Sequence, residues 1–452
     1  MDDFRPMRRA AAFAIFFIFA IGTAARADEV TTWNEVLFRS GIVAGTSSLN
    51  MTRFVALVQV AVFDAVNGIE GRYTPIHVAP AGPARASTSA AAMQAAYSIL
   101  SRLYGQGGLF TPSQQPTLDA DLAASLARIA RHDTDAAIAS GRAWGQTVAD
   151  AIWTWRSTDG FSLDPATWVG FTTLGQWRPT PSDPYPSPAM LPKGNGYPQF
   201  VTMTPWSIPS PSQFRPGGPP SLTSPQYARD FNETELMGRQ TSTSRSSDQT
   251  VYSWFWATGT STSYDWNHVA LSLLEGRRED RDDRDDRDDQ DDSRGTSTLL
   301  RNARVLATLD IAIADAAIGC WDAKYTYNFW RPITAIRETA DDGNPATTPD
   351  PAWTPLITAP AHPEYPSAHS CVSGAATKVL AHEFGEHTHF DITTDLLLGV
   401  TRSYQSFTDA LAEVKNARVF AGIHFRTSCD DGAMLGKQVA EYVLDHNFQR
   451  VR

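Results

Sequence analysis

The sequence predicts an all-α fold: helical bundles, two of them packed together, with a long proline-rich loop segment. Three observations carry this. Alanine-rich stretches with apolar residues at helical spacing recur along the chain, strand signals are nearly absent, and one block of proline, serine, threonine and tryptophan interrupts the helical texture. With 452 residues, 42% of them hydrophobic, the chain can bury a substantial core.

Residues 1–27 read as a signal peptide. "MDDFRPMRR" ends in two arginines, "AAAFAIFFIFAIG" is a short apolar run, and Ala25-Arg26-Ala27 supplies small residues at a cleavage site. That run is too short to span a bilayer comfortably, and no later stretch reaches about eighteen apolar residues without a charge. A soluble mature chain, periplasmic or extracellular, is expected.

Residues 28–160 form the N-terminal helical region. "MTRFVALVQVAVFDAVNGIEG", Met51 to Gly71, carries apolar residues at helical spacing and stops at a glycine. "ASTSAAAMQAAYSILSRLY", "TLDADLAASLARIAR" and "DTDAAIASGRAWGQTVADAIWTWR" continue the pattern, giving four helices before Ser157. Residues 161–224 are then expected as a long ordered loop covering a helical face, with lining of a pocket entrance as the other possibility.

Residues 225–452 form the C-terminal helical region, where the catalytic candidates lie. Helical patterning resumes at Gln226 and is interrupted by an acidic low-complexity insertion at 275–294, "EGRREDRDDRDDRDDQDDSR". Its composition predicts a solvated, disordered insertion between helices, and it lacks the glycine turn and closing glutamate of an EF-hand loop. The insertion supplies part of a net charge of −11, which argues against nucleic acid as the main partner. No internal repeat is clear. Cys320, Cys371 and Cys429 match no zinc spacing, and either a Cys371–Cys429 disulfide or three unpaired buried thiols fits them.

Three short stretches in this region carry chemistry. In "KYTYNFWRP", Lys324 precedes Arg331-Pro332 by seven residues, two turns if helical, so both cations would project from one face. In "AHPEYPSAHSC", Ser367, Ala368 and His369 follow a proline at a predicted helix start, where exposed backbone N–H groups bind oxyanions. In "NARVFAGIHFR", Arg418 stands six residues before His424, with Gly422 as a plausible helix break. Together they supply two arginines, one lysine, a serine, N–H donors and two histidines, with no carboxylate inside the motif cores. That inventory grips a compact oxyanion such as phosphate or vanadate.

These three stretches resemble the vanadium-dependent haloperoxidase and type 2 phosphatidic acid phosphatase superfamily, whose signature runs K-x6-RP, PSGH, SR-x5-H. "WNEVLF" and "FVALVQVAVFDAVNGI" resemble its secreted bacterial haloperoxidase-like branch. The resemblance implies that Lys324, Arg331 and Arg418 neutralise the oxyanion, and that Ser367 and the N–H of Ala368 bind it too. It makes His369 the general acid/base, Lys324 a catalytic cation that also polarises bound peroxide for halide attack, and His424 the vanadium ligand, or the nucleophile of a phosphatase. It also makes His362 a candidate for tuning halide choice toward bromide. Three departures stand out: Ala368 replaces the usual glycine, Ala417 the usual serine, and Ser428 the acid often found four residues after the last histidine.

The implied activity is vanadate-dependent oxidation of halide, bromide favoured, by hydrogen peroxide, with an organic acceptor as final substrate. The alternatives are a secreted soluble acid phosphatase holding phosphate in the same pocket, and a non-catalytic oxyanion-binding or interaction protein. His382, His387 and His389 in "AHEFGEHTHF" lack a defined ligand spacing and are left out of the site.

Overall fold

The computed structural model describes residues 28–79, 81–162, 170–180, 196–257, 261–282, 296–338, 342–394 and 397–451. The predicted signal peptide and most of the acidic insertion lie outside them.

The chain is helical, as predicted. An N-terminal bundle comprises α1 (Glu29–Val43), α2 (Ser48–Glu70), α3 (Thr88–Tyr104), α4 (Gln115–Ile129) and α5 (Asp135–Arg156). The connecting α6 (Pro225–Gly238), α7 (Ser247–Phe255) and α8 (Thr262–Asp282) lead to a second bundle. That bundle is built from α9 (Thr298–Tyr327), the short α10 (Pro332–Glu338), α11 (Ala368–Phe384), α12 (Phe407–Phe420) and α13 (Arg426–His446). A small antiparallel hairpin, β1 (Phe390–Thr393) and β2 (Thr401–Tyr404), pairs Phe390 with Tyr404 between α11 and α12.

Two details differ from the sequence reading. α1 is a fifth helix before Ser157: the Asp28 side chain accepts from Thr31 N–H as its cap, and Val30, Trp33, Val36 and Leu37 bury one face. α8 runs into the acidic insertion as far as Asp282, so its first residues are helical rather than disordered. Arg277 anchors that end against the Glu383 carbonyl and over the Phe384 ring, 4.2 Å from its centroid.

The two bundles meet along α2 and α9. By length and apolarity α2 could cross a membrane, yet 94% of its apolar window is buried inside the protein. A single hydrophobic cluster runs from Val30 to Phe448 across both bundles.

The bundles also repeat one another. In α2, Asp64 accepts the N–H groups of Ile76, His77 and Val78 at 2.8, 2.9 and 2.9 Å; in α9, Asp315 accepts those of Trp206, Ser207 and Ile208 at 2.6, 2.8 and 3.0 Å. Gly141 and Gly145 let α5 approach the Ser87 and Ala91 carbonyls, where a Cβ would stand 2.3 and 2.4 Å away. Gly432 and Gly436 do the same for α13 against Ser367 and Cys371, at 2.8 and 2.0 Å. Ser367 thus holds, before α11, the place that Ser87 holds before α3.

The proline-rich segment both covers and borders. Asp315 pins residues 206–208 to α9, while Trp177 N–H donates to the Asn328 carbonyl (2.7 Å) and Trp330 N–H to that of Gly175 (3.0 Å). The wrap is therefore hydrogen-bonded to the stretch that carries Arg331.

Candidate active site

The structure brings the three predicted stretches to one place. Lys324 lies in the last turns of α9, which ends when Asn328 turns left-handed at φ 47°. Arg331 follows in the short extended stretch before α10, so the two cations do not share a helical face as the spacing predicted. Both head groups nonetheless reach one loop, where they donate to carbonyls between His362 and Pro366.

Lys324 is fully buried, and its Nζ donates to the carbonyls of Pro363 (2.9 Å), Glu364 (2.9 Å) and Pro366 (2.5 Å). Its three donors organise the loop before α11, a role the sequence reading did not give it. Arg331 donates from Nε to the His362 carbonyl (3.1 Å) and from Nη1 to that of Ile423 (2.8 Å). Nη1 also lies 3.2 Å from His424 Nε2, and Nη2 lies 3.2 Å from His362 Nδ1.

α12 closes the cage. Arg418 projects from its last turn, the helix stops at Phe420, and Gly422 takes φ 77° as expected of the break. A Cβ at Gly422 would stand 2.6 Å from the Gly238 carbonyl, so the turn requires glycine twice over. His424 follows, before α13. Arg418 Nη1 donates to the Trp256 carbonyl at the end of α7 (2.6 Å), while its Nε is buried with no hydrogen-bond partner.

Ser367 caps α11 in position only. Ser87 uses its hydroxyl to accept Ala90 N–H at 3.0 Å, whereas the Ser367 side chain makes no cap bond and its Oγ is buried without a partner. The serine at this helix start therefore does not cap it, and the N–H of Ala368, first in α11, faces the place where an acceptor from outside the helix would sit. His362, Ala368 and His369 are half-buried and form the solvent-facing side, where the Trp321 ring lies 5.2 Å from that of His362.

The residue that sequence reasoning missed is Glu364. Its Oε1 accepts from His424 Nδ1 (2.8 Å) and from Phe425 N–H (3.0 Å), and its Oε2 is buried without a partner. The site therefore does contain a carboxylate. It stands three residues before Ser367 in "HPEYPSAH", and its signal was a lone acid between two prolines. Ser428, at the position of the missing acid, lies 3.5 Å from the same nitrogen. Glu364 fixes the tautomer: with the proton on Nδ1, Nε2 carries the lone pair, which also suits the donor of Arg331 beside it.

Burial dominates the protonation states. It pushes His424 well below its ordinary range, with Arg331, Lys324 and Arg418 adding to the shift. His369 is lowered by desolvation, then Arg418, Lys324 and Arg331; His362 by desolvation, then Arg331 and Lys324. All three imidazoles are thus neutral at pH 7. Desolvation raises Glu364 to about 7, against the pull of Arg331, the Phe425 N–H and Lys324. It lowers Lys324 to about 8 and Arg418 to about 9, leaving both mainly protonated at neutrality.

Cys320, Cys371 and Cys429 are all free and buried. Of the histidines left out, His382 lies in the last turn of α11, and His389 holds the Tyr404 carbonyl at 3.0 Å beside the hairpin.

A double helical bundle with a buried cage of cations, N–H donors and one oriented histidine has the chemistry to hold a compact oxyanion. Residues 304–452 match the family described as the VCPO second helical-bundle domain. The match covers about a third of the chain and lies in the bundle that carries the cage. Over 88 residues it is 35% identical to a vanadium chloroperoxidase of Curvularia inaequalis, a match spanning 17% of this chain and 14% of that relative. Among solved structures, a bacterial vanadium-dependent iodoperoxidase shares the fold with a TM-score of 0.74 at 24% identity, over 94% of this chain and 98% of that one. The apo form of a bacterial vanadium-dependent chloroperoxidase gives 0.64 at 17% identity, over 88% and 92%.

Proposed function

We propose that the chain is a vanadate-dependent haloperoxidase that oxidises halide, bromide favoured, with hydrogen peroxide and passes the halogen to an organic acceptor. The observation that carries this is the His424–Glu364 pair inside the cage: a neutral histidine whose Nε2 lone pair is aimed by a buried carboxylate and surrounded by three cations. The residues fit a tetrahedral oxyanion. Ser367 Oγ and Arg418 Nε are buried without partners, and the α11 N-terminus is left uncapped by its serine.

His424 Nε2 would hold the metal, with Arg331, Arg418, Ser367 and the Ala368 N–H taking its oxygens, while Lys324, its three donors bound to the Pro363, Glu364 and Pro366 carbonyls, adds positive charge from behind the loop. Vanadate, when bound, supplies the Lewis acid that activates hydrogen peroxide toward halide. His369, neutral at a half-buried position, accepts the proton that peroxide gives up and returns it as water forms. Arg331 and Arg418 hold their charge throughout and need no reorganisation as charge develops. Lys324 fixes the Pro363–Pro366 loop and with it the position of Glu364. A periplasmic or extracellular location belongs to the same proposal.

Glu364 also favours a second reading. An acidic partner on Nδ1 strengthens a histidine nucleophile, so the same cage could hold phosphate and hydrolyse a soluble phosphomonoester. One preparation separates the two. Halogenation of a phenolic dye should run faster with bromide than with chloride, while hydrolysis of p-nitrophenyl phosphate that vanadate inhibits, without halogenation, would establish the phosphatase.

A further inference from the structure

Between the covering segment and α13 lies a cavity of about 290 Å³ that shares no residue with the cage. Phe214 and Pro216 line it from the covering segment, Met434 and Leu435 from α13. Met434 is 58% exposed, so the cavity opens to solvent. Its size, just under the range of about 300–1,000 Å³ usual for small-molecule sites, suits a ligand of one ring.

The walls are tied in place by the protein itself. Arg215 donates from Nε and Nη2 to the two carboxylate oxygens of Asp322 on α9, at 2.6 and 2.7 Å, and the Tyr327 hydroxyl donates to the Pro216 carbonyl. The Phe214 ring packs against that of Tyr442 on α13, with 6.0 Å between centroids. On α13, Asp431 Oδ2 accepts from the Tyr365 hydroxyl at 2.5 Å, and Tyr365 stands next to Glu364 in the loop before α11.

The charges around this cavity do not balance. Asp322 neutralises Arg215, and Lys415 neutralises Asp430 at 2.8 Å. Asp431 has only a neutral phenol as partner and pairs with no lysine or arginine of the described residues. Desolvation raises its carboxyl above the ordinary range, with the Tyr365 hydrogen bond opposing, so a cation from outside would stabilise the ionised form. Gln213 and Gln438 bring amide oxygens that can accept from such a cation, while Phe214 and Met434 offer a ring and a thioether to an aromatic body.

We propose that this cavity is a second binding site, for a small organic ammonium with an aromatic body. The ammonium pairs with Asp431 and the amide oxygens of Gln213 and Gln438, and the body packs between Phe214 and Met434. No step of the proposed halide oxidation uses this site, and the proposal does not depend on that reading.

The test is isothermal titration of the purified full chain at pH 7 with 2-phenylethylammonium, beside 2-phenylethanol, which has nearly the same shape and no charge. Saturable binding of the ammonium is expected, with the alcohol weaker by about tenfold or more, as loss of a charge-assisted hydrogen bond implies. Asp431→Asn keeps an acceptor for the Tyr365 hydroxyl and should weaken ammonium binding by a similar factor. Met434→Arg, at an exposed position, brings a cation of the protein's own to Asp431 and should abolish binding. His424→Ala changes only the cage and should leave it intact. No saturable binding at about 10 mM, equal affinity for the alcohol, or unchanged affinity in either cavity variant would overturn the proposal. Loss of binding in His424→Ala would place the amine at the cage and overturn it as well.

Discussion

At the scale of single residues, Glu364 decides what His424 can do. Replacing it with glutamine keeps the size but puts an amide on Nδ1, so the tautomer that presents Nε2 is no longer enforced. Loss of an outer partner of a metal-binding histidine typically weakens affinity or activity about 10–100-fold. Glu364→Gln should therefore lower vanadate affinity within that range, measured by titrating the protein with vanadate, while the thermal midpoint changes little. Ser367 offers a second comparison, because Ser87 occupies the matching place without the chemistry. Ser87→Ala should lose its cap bond to Ala90 and cost about 1 kcal/mol in denaturant unfolding. Ser367→Ala should cost much less stability and appear instead as weaker oxyanion binding. The sequence made Ser367, His369, Arg418 and His424 legible because each sits in a recognisable short stretch. Glu364 was not legible in this way: its role depends on a contact with a residue sixty positions away, which no local pattern shows.

At the scale of elements, sequence periodicity located most helices, and turn chemistry located one decisive break. Gly422 ended α12 where the spacing of Arg418 and His424 required it. The end of α9 was missed because Asn328, rather than a glycine or proline, supplies the left-handed turn, so Lys324 and Arg331 were placed on one helix. α1 escaped because its apolar face is short and starts directly behind the apolar N-terminal run. The close approach of α13 to α11 rests on Gly436, where a Cβ would stand 2.0 Å from the Cys371 carbonyl. Backbone cannot give way as a flexible side chain can. Gly436→Ala should destabilise the fold by at least about 1–3 kcal/mol, checked by denaturant unfolding, and should also weaken oxyanion binding because α11 carries Ser367 and Ala368.

At the scale of the whole molecule, two bundles share one core, and the carboxylates buried in that core set its response to pH. Desolvation raises Asp310 to about 8, opposed by its hydrogen bond from Asn267, and raises Asp315 to about 6 despite three backbone N–H bonds. A folded pKa above the unfolded value of 3.8 means that the native chain holds a proton the unfolded chain has released. Stability from Asp310 is therefore greatest below about pH 4 and declines as pH rises through the window toward 8. Asp310→Asn should flatten the fall in melting temperature between pH 5 and 8, and an unchanged slope would show that this carboxyl is not the source. The parallel between Asp64 and Asp315, and between the paired glycines of α5 and α13, was invisible as a sequence repeat. It consists of a few matched contacts spread over helices of unrelated side chains.

The most direct measurement is bromination of a phenolic dye by the purified chain with hydrogen peroxide and bromide, before and after vanadate is added, beside His424→Ala. Turnover that appears only with vanadate and is lost in His424→Ala is the expected result. Turnover that ignores vanadate, or that survives in His424→Ala, would contradict the assignment of His424 as the residue that holds the metal.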